Sequence, residues 1–155
     1  LVHDPYKTVA PPLVQTALAA LLGEADFVVP LAVANEETEN LIDAAALTQM
    51  KRTAWLVNAS RGNLVDETAL EWALDEQRIA GAALDVGRAP DQMPSPHLAR
   101  RADVIATPHI AGLTPEAIEH QALETARQAA ALIRGEIPPG AVNAGQAKKL
   151  ARLKR

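Results

Sequence analysis

A few residues in this chain are suited to holding a small anion and moving a proton. Arg61 lies in NASRGN, a polar break that follows the apolar run 54–57. Its guanidinium is planar, permanently charged and able to grip a carboxylate with two parallel hydrogen bonds. His109 lies in TPHIAG, directly after the apolar run 103–107. An imidazole, with an ordinary pKa of about 6.5, both gives and takes a proton at neutral pH. Asp4, Asp85 and Asp91 supply carboxylates, and one hydrogen-bonded to the far nitrogen of His109 would fix its tautomer and favour its protonated form. Plainer readings stand beside these. Arg61 is also what a surface turn would carry, His109 also reads as a loop histidine, and Asp4 before Pro5 also reads as a turn residue. His3, His97 and His120 read as structural or exposed, and none of the four histidines has metal-ligand spacing with a partner.

The elements that must position these groups alternate. Short apolar runs at 1–3, 26–30, 54–57, 79–86 and 103–107 read as strands. Between and after them, 14–22, 41–50, 67–77 and 115–134 carry helical patterning. Asp66 is a good N-cap, Ser95 a cap for a short turn at 96–100, and Lys51-Arg52 complements the dipole of the helix before it. Thr114-Pro115-Glu116 has the cap, proline and acidic first turn of a helix start, and Gly135 the signature of its stop. Alternation of this kind predicts an α/β fold with a doubly wound parallel sheet of the Rossmann type. Asp4, Pro30, Arg61, Asp85 and His109 then all sit just beyond the carboxyl end of a strand, where open parallel sheets bind ligands.

A crevice lined in this way suits one reaction in particular. Reducing a 2-oxo acid needs a hydride at the carbonyl carbon and a proton at its oxygen. Arg61 would hold the carboxylate and polarise the carbonyl, His109 would handle the proton, and a nicotinamide would lie beside them. Asp4, as an acidic residue ending a second Rossmann strand, would accept the adenosine ribose hydroxyls and repel a 2′-phosphate, which favours NAD.

The segments NASRGNLVDETAL, IAGAALDV and TPHIAGLT, in this order, resemble the D-isomer-specific 2-hydroxyacid dehydrogenases, over about residues 1–143. The resemblance implies Arg61 as the substrate-binding arginine, His109 as the acid/base, Asp4 as the ribose ligand and Asp85 as a contact to the nicotinamide amide. It further implies that Val29, Pro30, Ala59, Ser60, Ala111 and Gly112 border NAD mainly through backbone. Two departures stand out. The family carries a catalytic glutamate five positions beyond the Asp85 equivalent; Pro90 holds that place here, and Asp91, one residue later and one methylene shorter, is the nearest carboxylate. Either Asp91 reaches His109 or it is a loop aspartate without a catalytic role. The first strand and its GxGxxG turn are also missing from the sequence, so the chain reads as beginning at the second strand.

With Leu1 first and methionine only at positions 50 and 93, the expectation is a C-terminal piece of a longer enzyme, inactive alone. Residues 1–135 would form a partial dinucleotide-binding domain, and 136–155 a segment and basic tail (Lys148, Lys149, Arg152, Lys154, Arg155) returning toward a substrate domain. A net charge of −4 argues against a nucleic-acid binder, no run is long and apolar enough for a membrane span, and the absence of cysteine excludes disulfides and thiolate metal sites. A cytoplasmic enzyme acting on a small 2-oxo or 2-hydroxy acid, its parent a homodimer, is the expectation. The alternative is an NAD(H)-sensing protein-interaction module of the corepressor type, kept open by the displaced carboxylate at Asp91.

Overall fold

The computed structural model describes residues 1–141 and 144–146; the basic tail lies outside the described residues. The chain gathers into two compact units, Leu1–Ala111 and Gly112–Arg155. The first holds four parallel strands, β1 (Phe27–Val28), β2 (Trp55–Asn58), β3 (Gly81–Leu84) and β4 (Val104–Ala106), in the spatial order β1-β2-β3-β4. Parallel neighbours need crossovers: α2 (Ala44–Gln49), α3 (Glu67–Asp75) and the short α4 (Pro96–Ala99) lie along the three connections, and α1 (Leu18–Glu24) precedes β1. In the second unit α5 (Pro115–Ile133) starts at Thr114, whose hydroxyl accepts from the Ala117 N–H, and ends before Gly135 at φ 73°.

Register decides which side of the sheet is buried. Val28, Leu56, Ala82 and Val104 lie side by side across the four strands, and all are buried. The adjacent row, Val57, Ala83 and Ile105, faces the other way; Val57 and Ala83 are partly exposed and Ile105 is exposed. Against the buried side α1 packs on α2 and α2 on α3, a single helical layer. Leu22, Leu47 and Leu70 from these helices meet Leu56 in one apolar core. The apolar face expected of residues 67–77 is found in α3, with Ala69, Leu70, Ala73 and Leu74 buried.

Most boundaries are tighter than the sequence suggests, for physical reasons. The 14–22 helix begins only at Leu18, because Val14 and Thr16 give their backbones to Val2: the Val2 N–H donates to Val14 O (2.8 Å) and the Thr16 N–H to Val2 O (2.9 Å). The first predicted strand, 1–3, is thereby reduced to an isolated bridge between Val2 and Gln15, outside the four-stranded sheet. Gly23 does not end α1, which runs on to Glu24. The 41–50 helix starts at Ala44, since Ile42 forms a bridge with Val65 and Asp43 accepts from the Ala46 N–H at 2.8 Å. Lys51 pairs with Asp26 (3.0 Å) rather than serving the end of α2. Ser95 precedes α4 without a side-chain cap; its hydroxyl donates to Glu67 instead. Asp66 caps α3 as expected, accepting from the Ala69 N–H at 3.1 Å.

One ion-pair network fixes the far end of the sheet. Arg101 donates through Nε and Nη2 to both oxygens of Asp103, each at 2.9 Å, and through Nη1 to Asp75 at 2.6 Å. The guanidinium holds the Asp103 carboxyl below its usual range. Arg101→Met is expected to lower stability by about 1 kcal/mol, at the upper end for partly exposed pairs because the geometry is bidentate. The deficit should show in urea midpoints at neutral pH. Because the folded-state pKa of Asp103 is lowered, the contribution is complete above the ordinary carboxylate pKa and disappears as pH falls through the lowered value.

Candidate active site

The carboxyl ends of β2, β3 and β4 carry three connected loops. Beyond β2 the side chain of Asn58, 1% exposed, shapes the turn: its Oδ1 accepts from the Ser60 N–H (3.1 Å) and its Nδ2 donates to Arg61 O (2.9 Å). Its carbonyl accepts from the Asp85 N–H at 2.9 Å, which ties the loop to the end of β3. Arg61 is exposed and donates one Nη1 bond to Ser60 O (2.7 Å). Its other N–H groups have no protein acceptor among the described residues. Gly62 follows because nothing larger fits: a Cβ there would lie 2.1 Å from Gly87 O.

Beyond β4 the chain turns sharply, with His109 in the left-handed region at φ 53°. Few non-glycine residues adopt this conformation unless the surroundings impose it. Here Asp85, 6% exposed, imposes it from the end of β3. Its Oδ1 accepts from the Thr107 hydroxyl (2.5 Å) and the Ile110 N–H (2.9 Å), and its Oδ2 from the Ala111 N–H (2.9 Å). Burial alone would raise the Asp85 pKa. The bonds from Thr107, Ala111 and Ile110, with the nearby His109 charge, outweigh burial and set it below the ordinary carboxylate value. Asp85 therefore stays ionised and grips the His109 turn on both sides.

The third loop, 86–95, is held from below. Arg88 donates through Nε to Val65 O (3.0 Å) and through Nη2 to Asn63 O (2.9 Å) and the Asn40 side chain, and pairs with Glu39 at 2.8 Å. Glu67 accepts from the Arg88 N–H (2.8 Å) and from Ser95. Asp91 is exposed and its Oδ1 accepts from the Met93 N–H at 3.0 Å. The structure does not bring Asp91 into hydrogen-bond contact with His109; among the described residues the histidine–carboxylate pair is His97 with Glu71, at 3.6 Å. Between this loop and Arg61 lies an open cavity of about 380 Å³ lined by Arg61, Gly62, Val86, Gly87, Arg88 and Gln92 among others. His109 is not in its lining.

The remaining predicted positions differ in exposure. Pro30 is buried and Val29 exposed; Ser60 is half-buried, and Ala59, Ala111 and Gly112 are exposed. Asp4 is half-buried, and its Oδ1 accepts from the Tyr6 (2.8 Å) and Lys7 (2.9 Å) N–H groups, leaving Oδ2 without a protein donor among the described residues. Sequence reasoning missed Asn58, Thr107, Glu67 and Arg88, because a polar residue in a loop gives no sign of which backbone groups it will meet. Among the described residues there is no cluster of metal-ligating side chains and no helix long and apolar enough to cross a membrane.

The sequence model of the family described as D-isomer specific 2-hydroxyacid dehydrogenase, NAD binding domain, matches residues 1–111. The chain is 43% identical over 140 residues to a glyoxylate reductase of Thermofilum pendens, covering 88% of this chain and 40% of that protein. It is 40% identical over 126 residues to a D-3-phosphoglycerate dehydrogenase of Synechocystis, covering 81% of this chain and 23% of that protein. Among solved structures it resembles the NAD-complexed D-isomer specific 2-hydroxyacid dehydrogenase of Lactobacillus delbrueckii ssp. bulgaricus. The TM-score is 0.78 at 31% identity, over 91% of this chain and 48% of that one. The chain thus spans less than half the length of each of these proteins.

Proposed function

Since the chain belongs to the D-isomer specific 2-hydroxyacid dehydrogenase family by its NAD-binding domain, we propose that the intact protein containing it transfers a hydride between NAD(H) and a small D-2-hydroxy acid or its 2-oxo acid. The observation that carries the reading is the pairing of loops on either side of β3. Arg61 stands beyond β2 with most of its guanidinium free, and His109 stands beyond β4 on a turn that Asp85 holds rigid.

The residues present fit the cofactor. One Asp4 oxygen is fixed by its turn and the other is left for a ribose diol. The backbone at Ala59, Ser60, Ala111 and Gly112 lies open, and exposed Val29 beside buried Pro30 offers an apolar border. Bound NADH would supply the hydride. Arg61 would bind the substrate carboxylate and polarise the adjacent carbonyl, and His109 would donate the proton to its oxygen and recover it in the reverse direction. Asp85, its oxygens engaged by Thr107, Ile110 and Ala111, keeps that imidazole in place and borders the nicotinamide amide. Asp91, the carboxylate next in sequence to Pro90, would serve as the partner of His109, its Oδ2 free of protein donors among the described residues.

We take residues 1–135 as the cofactor-binding part and 136–155 as the return toward a substrate domain, in a cytoplasmic homodimer. The relatives reported above carry reductase and dehydrogenase names and lend no support to the corepressor alternative. The deciding experiment is NADH oxidation by the intact protein with glyoxylate, hydroxypyruvate and pyruvate. Turnover with at least one is expected, and NADH binding without turnover on any 2-oxo acid tried would overturn the reading.

A further inference from the structure

We propose that Gln92 is a substrate-contacting residue that sets specificity at the Arg61 cavity; this rests on the reading of Arg61 as the carboxylate anchor. Three observations converge on it. Gln92 and Arg61 line the same cavity, and that cavity is formed where the 86–95 loop meets the loop after β2. The amide of Gln92 has no protein partner among the described residues, whereas the neighbouring Asp91 and Arg88 are both engaged. Gln92 also adopts the left-handed conformation, at φ 62°, which glycine or asparagine would tolerate better. A long amide kept at a strained position beside a free guanidinium points to a role for the side chain itself.

The backbone around it is braced so that the position is fixed. The Gln92 N–H donates to Ala89 O (2.7 Å) and its carbonyl accepts from the Gly87 N–H (2.9 Å). Gly87 leaves no room for a side chain, since a Cβ there would lie 2.5 Å from Met93 O and 2.8 Å from a Glu67 oxygen. Arg88 and Glu67 tie the base of the loop to the body of the unit. A neutral amide at this place donates to, or accepts from, the substrate beyond the carboxylate that Arg61 holds. A carboxylate at the same place would instead compete for Arg61.

The test is calorimetric binding of oxamate, an unreactive 2-oxo acid isostere, to the intact protein with and without NADH, in wild type, Gln92→Gly and Gln92→Glu. Gln92→Gly removes the amide while relieving the backbone, so its melting temperature should hold or rise while oxamate binding weakens about tenfold, the equivalent of one neutral hydrogen bond. Gln92→Glu should weaken it further, because the new carboxylate pairs with Arg61. A merely structural residue would give the glycine variant wild-type binding, and that result, or failure of the wild-type protein to bind oxamate, overturns the proposal. Absence of turnover with every 2-oxo acid would sink the hydride-transfer reading and leave a Gln92-dependent oxamate site standing.

Discussion

His109→Ala in the intact protein is expected to lower kcat by about 10²–10⁴-fold, the usual contribution of a placed general acid–base. NADH affinity should move little, because the backbone proposed to border the cofactor there is fixed by Asp85 and not by the imidazole. Arg61→Ala should fall as far in kcat/KM but through a different split. A guanidinium that binds the carboxylate in both ground and transition states chiefly raises KM, and any fall in kcat measures its extra grip on the developing charge. Arg61→Lys should recover only part of the loss, since an ammonium lacks the fork. Steady-state kinetics with fluorescence titration of NADH separates the two roles. If NADH affinity collapses in either variant while the fold is kept, the roles assigned to Arg61 and His109 are wrong.

Asp85→Asn is expected to be damaging as well, though less so, despite being almost isosteric. One amide oxygen can still accept from Thr107 and Ile110, but the NH₂ then faces the Ala111 N–H, donor against donor. Bonds to an ionised group are each worth about 1.5–3 kcal/mol where water is excluded; the exposure of Ile110 and Ala111 puts the expected net loss near the low end, at about 1.5 kcal/mol. The larger effect is functional: with the hold on Ala111 gone, His109 is less firmly kept in its left-handed conformation, and kcat should drop about tenfold. The pH dependence has a fixed sign. The folded-state pKa of Asp85 is lowered, so its stabilisation is complete above the ordinary value of about 3.9 and is lost as pH falls through the lowered one. Wild type and variant should therefore differ most at neutral pH and converge in acid; urea midpoints across pH would show whether they do.

Much of this was readable from the sequence. Apolar runs 54–57, 79–86 and 103–107 each coincide with a strand to within a few residues, and the polar residues that follow do lie at one edge of a parallel sheet. The caps at Asp66 and Thr114 were equally plain, because an N-cap is a local interaction between residues three apart. What escaped was non-local. The late start of α1 depends on Val2, and that of α2 on Val65, partners that no window around either helix contains. The same holds for the site. His109 and Gln92 occupy backbone conformations that a glycine would have announced, and neither is glycine. Asp85 was legible as a strand-end carboxylate, yet its hold on Ile110 and Ala111, some 25 residues on, emerges only once β3 and β4 lie side by side.

The backbones of Gly62 and Gly87 touch with no space for a side chain on either. The loop after β2 and the 86–95 loop are consequently seated on one another: an insertion that moved Gly87 would disturb the turn that carries Arg61. Grafting into a related protein should transplant both segments together, since either one alone would arrive without the surface that seats it.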